Sequence, residues 1–317
     1  MAFEAVGTSE THTRSKDLVV ETTRLSKRYS AAILAVDSLE LQVRRGEVYG
    51  FLGPNGAGKT TTLRMLLGLI EPSSGTALVA GHAPGAPEGL AKIGAMVETP
   101  AFYPYMSGRD NLRVFTRYAM ISDAGVDAAL ARVDLSSRAK DKFSTYSLGM
   151  KQRLGVAAAL VKEPELLILD EPANGLDPQG IVEMRDMLRD FAKEGLTVLV
   201  SSHLLGEVQQ FCDRVGVIQR GRMMAQGTVE EIRGGAKAVS IRATPIDKAK
   251  EVLSGIVGAD AVSGESDGWL QVAIDPERSW EINRALNQAD IHVSELRLRE
   301  RSLEDVFLEL TGKESGL

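Results

Sequence analysis

The chain has a single cysteine, Cys212, in 317 residues. An intramolecular disulfide is therefore impossible, a Cys-based structural zinc site has no second thiolate to build on, and a reducing, cytoplasmic setting fits. No apolar run approaches the roughly 18 residues that a membrane-crossing helix needs. The segment Met1–Asp17 is polar and lacks the apolar stretch of a secretory signal, so it reads as a flexible tail. Basic charge is not in excess either. The 37 Lys+Arg stand against 43 Asp+Glu, a formal net charge of −6. That balance gives no electrostatic footprint for wrapping DNA or RNA, a local patch aside. What is present is an ordinary globular composition, 44% hydrophobic and 25% charged, long enough for two domains or one large domain with an appendage. The absences exclude a membrane-spanning or disulfide-stapled chain. They name no function.

Regular structure is expected from Leu18 onward. LVVETT and the alternating run from Leu34 to Val43 have strand character. VYGFLG at 48–53 is a short apolar run, as in a buried parallel strand, and it leads through a Gly-rich turn into the helical pattern TTTLRMLLGLI. Residues 84–106, rich in Pro, Gly and aromatics, read as irregular. Helical patterns follow at 108–120, 124–133 and 148–161, then an apolar run LLILD at 166–170, a helix at 179–194 and a third run TVLVSS at 197–202. That βαβ rhythm predicts an α/β fold with a mainly parallel sheet. After a break at Gly234–Gly235 the pattern changes. Strands fit at 238–244, 269–274 and 292–299, and helices at 246–254, 278–289 and 302–311. Ser302-Leu303-Glu304-Asp305 resembles a capping box opening the last helix. Residues 236–317 suffice for a small α+β domain. Trp269 and Trp280 are expected in its core, and Cys212 is expected to be structural, where a helix packs on the sheet.

Gly53-Pro54-Asn55-Gly56-Ala57-Gly58-Lys59-Thr60 matches G-x-x-x-x-G-K-[ST]. The glycines permit positive φ, so that backbone N–H groups can point inward around phosphate oxygens. The following helix N-terminus adds unpaired N–H groups and a positive dipole end. Lys59 can reach the β- and γ-phosphates, and the Thr60 hydroxyl can complete a Mg²⁺ shell. The loop sits between a buried-strand run and a helix, as the chemistry requires. Alone it leaves kinases, GTPases and motors open.

Asp170 and Glu171 close an apolar strand, and ligands of open α/β sheets bind at the carboxyl ends of strands. Asp170 can hold Mg²⁺, and Glu171 can orient or deprotonate an attacking water. Read alone, the pair fits two surface acids equally well; a phosphate loop elsewhere in the chain favours the first reading. His203 ends a third apolar run. An ordinary surface histidine is the plain reading, but a strand's C-terminal end would put it in the same crevice.

Together these motifs resemble the ATP-binding subunit of an ABC transporter over residues 18–235. GPNGAGKTT at 53–61, including Thr61, is the phosphate loop. YSLGMKQR at 146–153 is similar to the family signature, LLILDEP is the second nucleotide motif, and Gly175-Leu176-Asp177-Pro178 is the dimer-contact loop. SSH at 201–203 supplies the switch histidine, and Tyr29 stands where the family stacks an aromatic on adenine. The likeness is strongest to bacterial drug-export ATPases of the bacitracin- and daunorubicin-resistance type, and it extends to the ending SLEDVFLELTG. The resemblance implies ATP and Mg²⁺ as cofactors and an antiparallel β subdomain and a helical subdomain at about 100–162 beside the parallel sheet. It implies a head-to-tail dimer in which Ser147 and Gly149 of one chain meet the ATP of another, Asp177 lies at the contact, and a separate transmembrane permease is driven from the cytoplasmic face of the cell membrane. Nucleic acid is not an expected partner.

The chain departs from the family in two places. Tyr146-Ser147-Leu148-Gly149-Met150 replaces LSGGQ, keeping Ser147 and Gly149. Glu98 stands where many members have Gln, touching Mg²⁺ or water; a carboxylate there is held farther away, protonated, metal-bound or a tolerated variant. The segment Phe102-Tyr103-Pro104-Tyr105-Met106 is either core or part of the groove that receives a helix of the membrane subunit. The alternative function is a soluble ABC ATPase acting on ribosomes or DNA, but one phosphate loop and only residues 62–146 between Thr61 and Ser147 leave no second cassette and no long coiled coil. Import instead of export is separated only by the C-terminal likeness.

Overall fold

The architecture comes from a computed structural model that describes residues 17–98, 101–233, 238–264, 268–299, 302–304, 306 and 307. The expected tail, Asp17 excepted, the break at Gly234–Gly235 and most of the expected helix 302–311 lie outside the described residues.

The first half of the chain runs β1 (Leu18–Arg28), β2 (Leu34–Leu39), β3 (Gln42–Arg44), β4 (Val48–Leu52), α1 (Lys59–Leu66), β5 (Ser74–Val79), α2 (Pro87–Leu90), β6 (Ile93–Met96), α3 (Gly108–Tyr118), α4 (Val126–Arg132) and α5 (Leu148–Leu160). There follow β7 (Leu166–Asp170), α6 (Pro178–Lys193), β8 (Thr197–Ser202), α7 (Leu205–Val208), β9 (Arg214–Gln219), β10 (Arg222–Thr228) and α8 (Val229–Arg233). The last part is β11 (Ala238–Thr244), α9 (Ile246–Val257), β12 (Val262–Gly264), β13 (Trp269–Ala273), α10 (Ser279–Gln288) and β14 (His292–Arg299).

The central sheet has the order β10-β9-β4-β8-β7-β6 and is parallel except for the β10–β9 hairpin. Strands β4, β7 and β8 are buried at every residue, which is why they read as unbroken apolar runs: both faces are covered. The alternation of side chains sorts them. Val48, Leu52, Leu167 and Leu169 face Leu154 and Leu160 of α5 and Leu188 of α6, whereas Tyr49, Phe51 and Ile168 face Leu63 and Leu66 of α1 and the first antiparallel sheet. That sheet is organised by β1, which pairs antiparallel with β2, β3 and β5.

Three local expectations are corrected. The run 34–43 is two strands, interrupted at Glu40–Leu41, each pairing with its own stretch of β1. Residues 84–106 are not wholly irregular, since they contain α2 and β6, the edge strand of the central sheet. β6 is easily overlooked because it is four residues long and includes a glycine. A Cβ on Gly94 would lie 2.2 Å from the carbonyl oxygen of Ala159, so close packing against α5 demands glycine there. Trp280 is not core: it is 60% exposed. The buried face of α10 is set by Ile282 and Leu286, one turn apart, and Trp280 points away from it. Trp269 is half-buried, with the Arg297 guanidinium 4.8 Å from its ring centre.

β11–α9–β12–β13–α10–β14 forms an antiparallel sheet of order β12-β13-β11-β14. Val239, Ile241, Leu270 and Val272 pack beneath Leu253 of α9 and Ile282 and Leu286 of α10. Cys212 is buried behind α7, and its Sγ would sit 3.0 Å from a Cβ on Gly50 of β4. Among the described residues no helix is long and apolar enough to cross a membrane.

Candidate nucleotide site

The site forms where β4, β8 and β7 end side by side. Gly53 to Gly58 leave β4 as a loop, with Gly56 at φ +79° and Gly58 at φ +109°. A Cβ on Gly58 would lie 2.5 Å from the carbonyl oxygen of Ala35, so this turn accepts only glycine. Thr60 and Thr61 stand in the first turn of α1, whose free N–H groups and dipole face the loop. Lys59 is 5% exposed. Its Nζ donates to the carbonyl oxygens of Gly53 at 2.6 Å and Pro54 at 3.2 Å, and stands 3.1 Å from Glu171 Oε1. Pro54, Asn55 and Ala57 complete the loop, the Ala57 N–H donating to Pro54 O at 3.1 Å.

The acidic strand end meets this loop. The Thr60 hydroxyl donates to Asp170 Oδ2 at 2.7 Å. The Ser201 hydroxyl donates to Asp170 Oδ1 at 2.5 Å, while its oxygen accepts the Glu171 N–H at 3.0 Å. Glu171 has φ +49°, an uncommon conformation for a non-glycine residue, and its carboxylate turns back over the loop. There Oε1 meets Lys59 and Oε2 lies 2.8 Å from His203 Nδ1. The Gly53 N–H donates to Ser202 O at 3.2 Å, tying the start of the loop to β8. The structure thus brings together Gly53, Lys59, Thr60, Asp170, Glu171 and His203. Ser201 was missed as a site residue, although a serine pair just before a strand-end histidine was its signal.

Other expected residues lie elsewhere. Tyr29, 51% exposed, sits on the turn between β1 and β2, its ring 5.4 Å from Lys27 Nζ. Ser147 is the N-cap of α5, accepting the Met150 N–H at 3.3 Å. Gly149 follows in the first turn, 3.8 Å (from its notional Cβ) from Leu176. Asp177 caps α6 through the Gly180 N–H at 3.1 Å. The signature turn and the Gly175–Asp177 loop therefore lie against each other. Glu98 has a 63%-exposed side chain ion-paired with Arg64 of α1, which was not foreseen; Thr99 and Pro100 after it lie outside the described residues. Of the aromatic segment, Phe102 packs edge-on against Phe143 at 5.3 Å, whereas Tyr103 and Tyr105 are 50% and 69% exposed, so the segment is core at Phe102 and surface at the two tyrosines.

A buried lysine held in a glycine loop, facing a carboxylate pair at the end of a parallel strand of the same sheet, is the phosphate-handling apparatus of a P-loop nucleoside triphosphatase. The comparisons narrow the class. Residues 36–174 match the family model described as ABC transporter. The chain is 38% identical over 299 residues to the bacitracin transport ATP-binding protein BcrA of Bacillus licheniformis, covering 93% of this chain and 97% of that one. It is 37% identical over 310 residues to the daunorubicin resistance ATP-binding protein DrrA3 of Streptomyces coeruleorubidus, covering 93% and 96%. Among solved structures, cbiO1 from Clostridium perfringens, part of the ABC transporter complex cbiONQ, superposes with a TM-score of 0.63 at 28% identity, covering 76% of this chain and 98% of that one. The chain belongs to the ABC transporter family, as an ATP-binding subunit that hydrolyses ATP in support of transport.

Proposed function

We propose that the chain powers export of a drug, peptide or lipid-like molecule through a separate transmembrane permease, working at the cytoplasmic face of the membrane as a head-to-tail pair of ATP-binding subunits. The cluster Lys59–Glu171–His203 carries the hydrolytic part of this reading. Lys59 holds the β- and γ-phosphates, Glu171 orients the attacking water and accepts its proton, and His203 fixes Glu171 and bonds the γ-phosphate. The backbone of residues 53–61 cradles the phosphates, and Tyr29 stacks on the base. Ser147 and Gly149 at the start of α5 meet the γ-phosphate of the partner chain, with Asp177 at the contact.

Mg²⁺ fits the donor set. Thr60 Oγ1 and the Asp170 carboxylate, 2.7 Å apart, are hard oxygen donors of the kind this ion takes. Among the described residues no cluster of three His, Cys, Asp or Glu forms a metal cage, which suits an ion held mainly by phosphates. When bound, the ion neutralises charge developing on the phosphates. Glu98, engaged by Arg64, acts as a tolerated variant in this reading.

Export is favoured by relatives that match nearly full length and are named for bacitracin transport and daunorubicin resistance. A role on ribosomes or DNA has no such support. Residues 18–235 form the ATPase domain and 236–317 an accessory domain. The decisive experiment is Glu171→Gln in the purified transporter. It should bind ATP, lose turnover and accumulate as an ATP-bound dimer; unchanged hydrolysis would overturn the assignment.

A further inference from the structure

Leu303 and Phe307 come after the last strand of the C-terminal sheet, yet pack with the ATPase core. Leu303 is 1% exposed and belongs to the same apolar cluster as Val208, Phe211 and Val229. Val306 is 9% exposed, and Phe307 lies against that cluster. The Leu303 N–H donates to Gln209 Oε1 at 3.2 Å. Glu304 Oε1 approaches the place where a side chain on Gly206 would begin, 2.9 Å from a Cβ there, so the missing side chain of Gly206 makes room for it. The contacts of Leu303 and Glu304 with Gln209 and Gly206 fall on residues 204–211, the stretch that continues directly from His203.

Elsewhere that stretch packs on β4, where Val208 stands over Gly50, and it faces α6. A cavity of about 250 Å³ separates it from α6, lined by Glu171, Met184, Leu188, Leu204, Val208 and Phe211. Side chains facing a void lose the attractive contacts that a packed neighbour would supply. The Arg185–Gln210 hydrogen bond at 2.6 Å crosses from α6 to the stretch. The stretch that continues from His203 is therefore held in part by Leu303 and Glu304.

We infer that Leu303, with Glu304 and Phe307 beside it, is a positioning residue for hydrolysis, clamping 204–211 so that His203 stays at hydrogen-bond distance from Glu171. This rests on the roles proposed above for Glu171 and His203. It gives the C-terminal domain a hold on turnover that does not pass through nucleotide binding. A shift of about 1 Å at a catalytic group costs on the order of a hundredfold in rate, so a small displacement suffices.

The test uses the full chain with its membrane partner. Leu303→Ala should lower kcat on the order of tenfold or more while leaving the KM for ATP nearly unchanged, and Leu303→Met, close in volume, should restore most of the rate. Amide hydrogen exchange should rise across 204–212 in Leu303→Ala and stay unchanged across 53–61. Loss of protection in both segments, or a rise in KM matching the fall in kcat, would overturn the inference in favour of a general loss of stability. Wild-type kcat in Leu303→Ala with protection intact at 204–212 would overturn it directly. Glu171→Gln keeps the two readings apart: if that variant still hydrolyses ATP, the site assignment fails, whereas if it is inactive and Leu303→Ala is unaffected, only the clamp fails.

Discussion

Lys59 Nζ and Glu171 Oε1 face each other at 3.1 Å, an ion pair whose lysine side chain is 6% exposed and whose glutamate is 20% exposed. The same ammonium also donates to the carbonyl oxygens of Gly53 and Pro54, so three oxygens converge on it.

Lys59→Ala removes the ion pair and both carbonyl contacts. Turnover is expected to fall by at least about a hundredfold, with nucleotide affinity lost or strongly reduced. Binding of a fluorescent ATP analogue, measured beside steady-state hydrolysis, checks this; affinity and rate both at wild-type level would refute the phosphate-loop reading.

Gly58→Ala should be worse for folding than for a typical surface glycine. The residue sits at φ +109° and its added Cβ would press on Ala35 O at 2.5 Å. Backbone strain of this kind costs about 1–3 kcal/mol, so the melting temperature should drop along with nucleotide binding. Thermal unfolding followed by circular dichroism measures it, and an unshifted transition would contradict the geometry.

Glu47 offers a test by pH. It is 8% exposed; burial outweighs the hydrogen bond from the Arg44 N–H and the charge of Arg214, and raises its carboxyl above the ordinary value of 4.5. A raised carboxyl contributes stability that is complete below the unfolded value and is lost as pH rises through the folded one. The stability of wild type relative to Glu47→Gln should therefore be greatest near pH 4 and decline toward neutrality. Urea denaturation of both proteins across that range gives the difference; a gap that widens with pH would be the wrong sign.

Cys212 is buried, and burial pushes its thiol well above 9.0. The thiolate is the reactive form, so the folded protein should react with a thiol reagent at pH 8 at least about tenfold more slowly than the unfolded protein. Equal rates would place the side chain at the surface.

Legibility in the sequence followed burial. The three fully buried strands of the central sheet announced themselves as apolar runs because both faces are covered, and the phosphate loop was visible because its glycines are dictated by backbone geometry. The acids at 170–171 and His203 could be located at strand ends but not joined; their meeting depends on the parallel register of β7 and β8, which is a non-local fact. β6 escaped because a short edge strand with Gly94 carries almost no pattern. Trp280 misled because a large aromatic side chain suggests core, while the helical phase set by Ile282 and Leu286 turns it outward. The Arg64 pairing of Glu98 and the return of Leu303 to the ATPase core join residues far apart in the chain, which no local pattern encodes.

β8 lies between β4 and β7, so the loop strand and the acidic strand never bond directly. Ser201 stands level with Phe51 on one side and with Asp170 on the other. The strand serves as a gauge block that sets the spacing of the two halves of the chemistry. Sliding it by a single residue would present Ser202 to Asp170 and, because side chains alternate, swing the hydroxyl to the opposite face. The apolar lining of β8 thus holds a calibration as well as a core, and a repacking substitution such as Val200→Leu or Leu199→Val tests whether catalysis tolerates what folding tolerates.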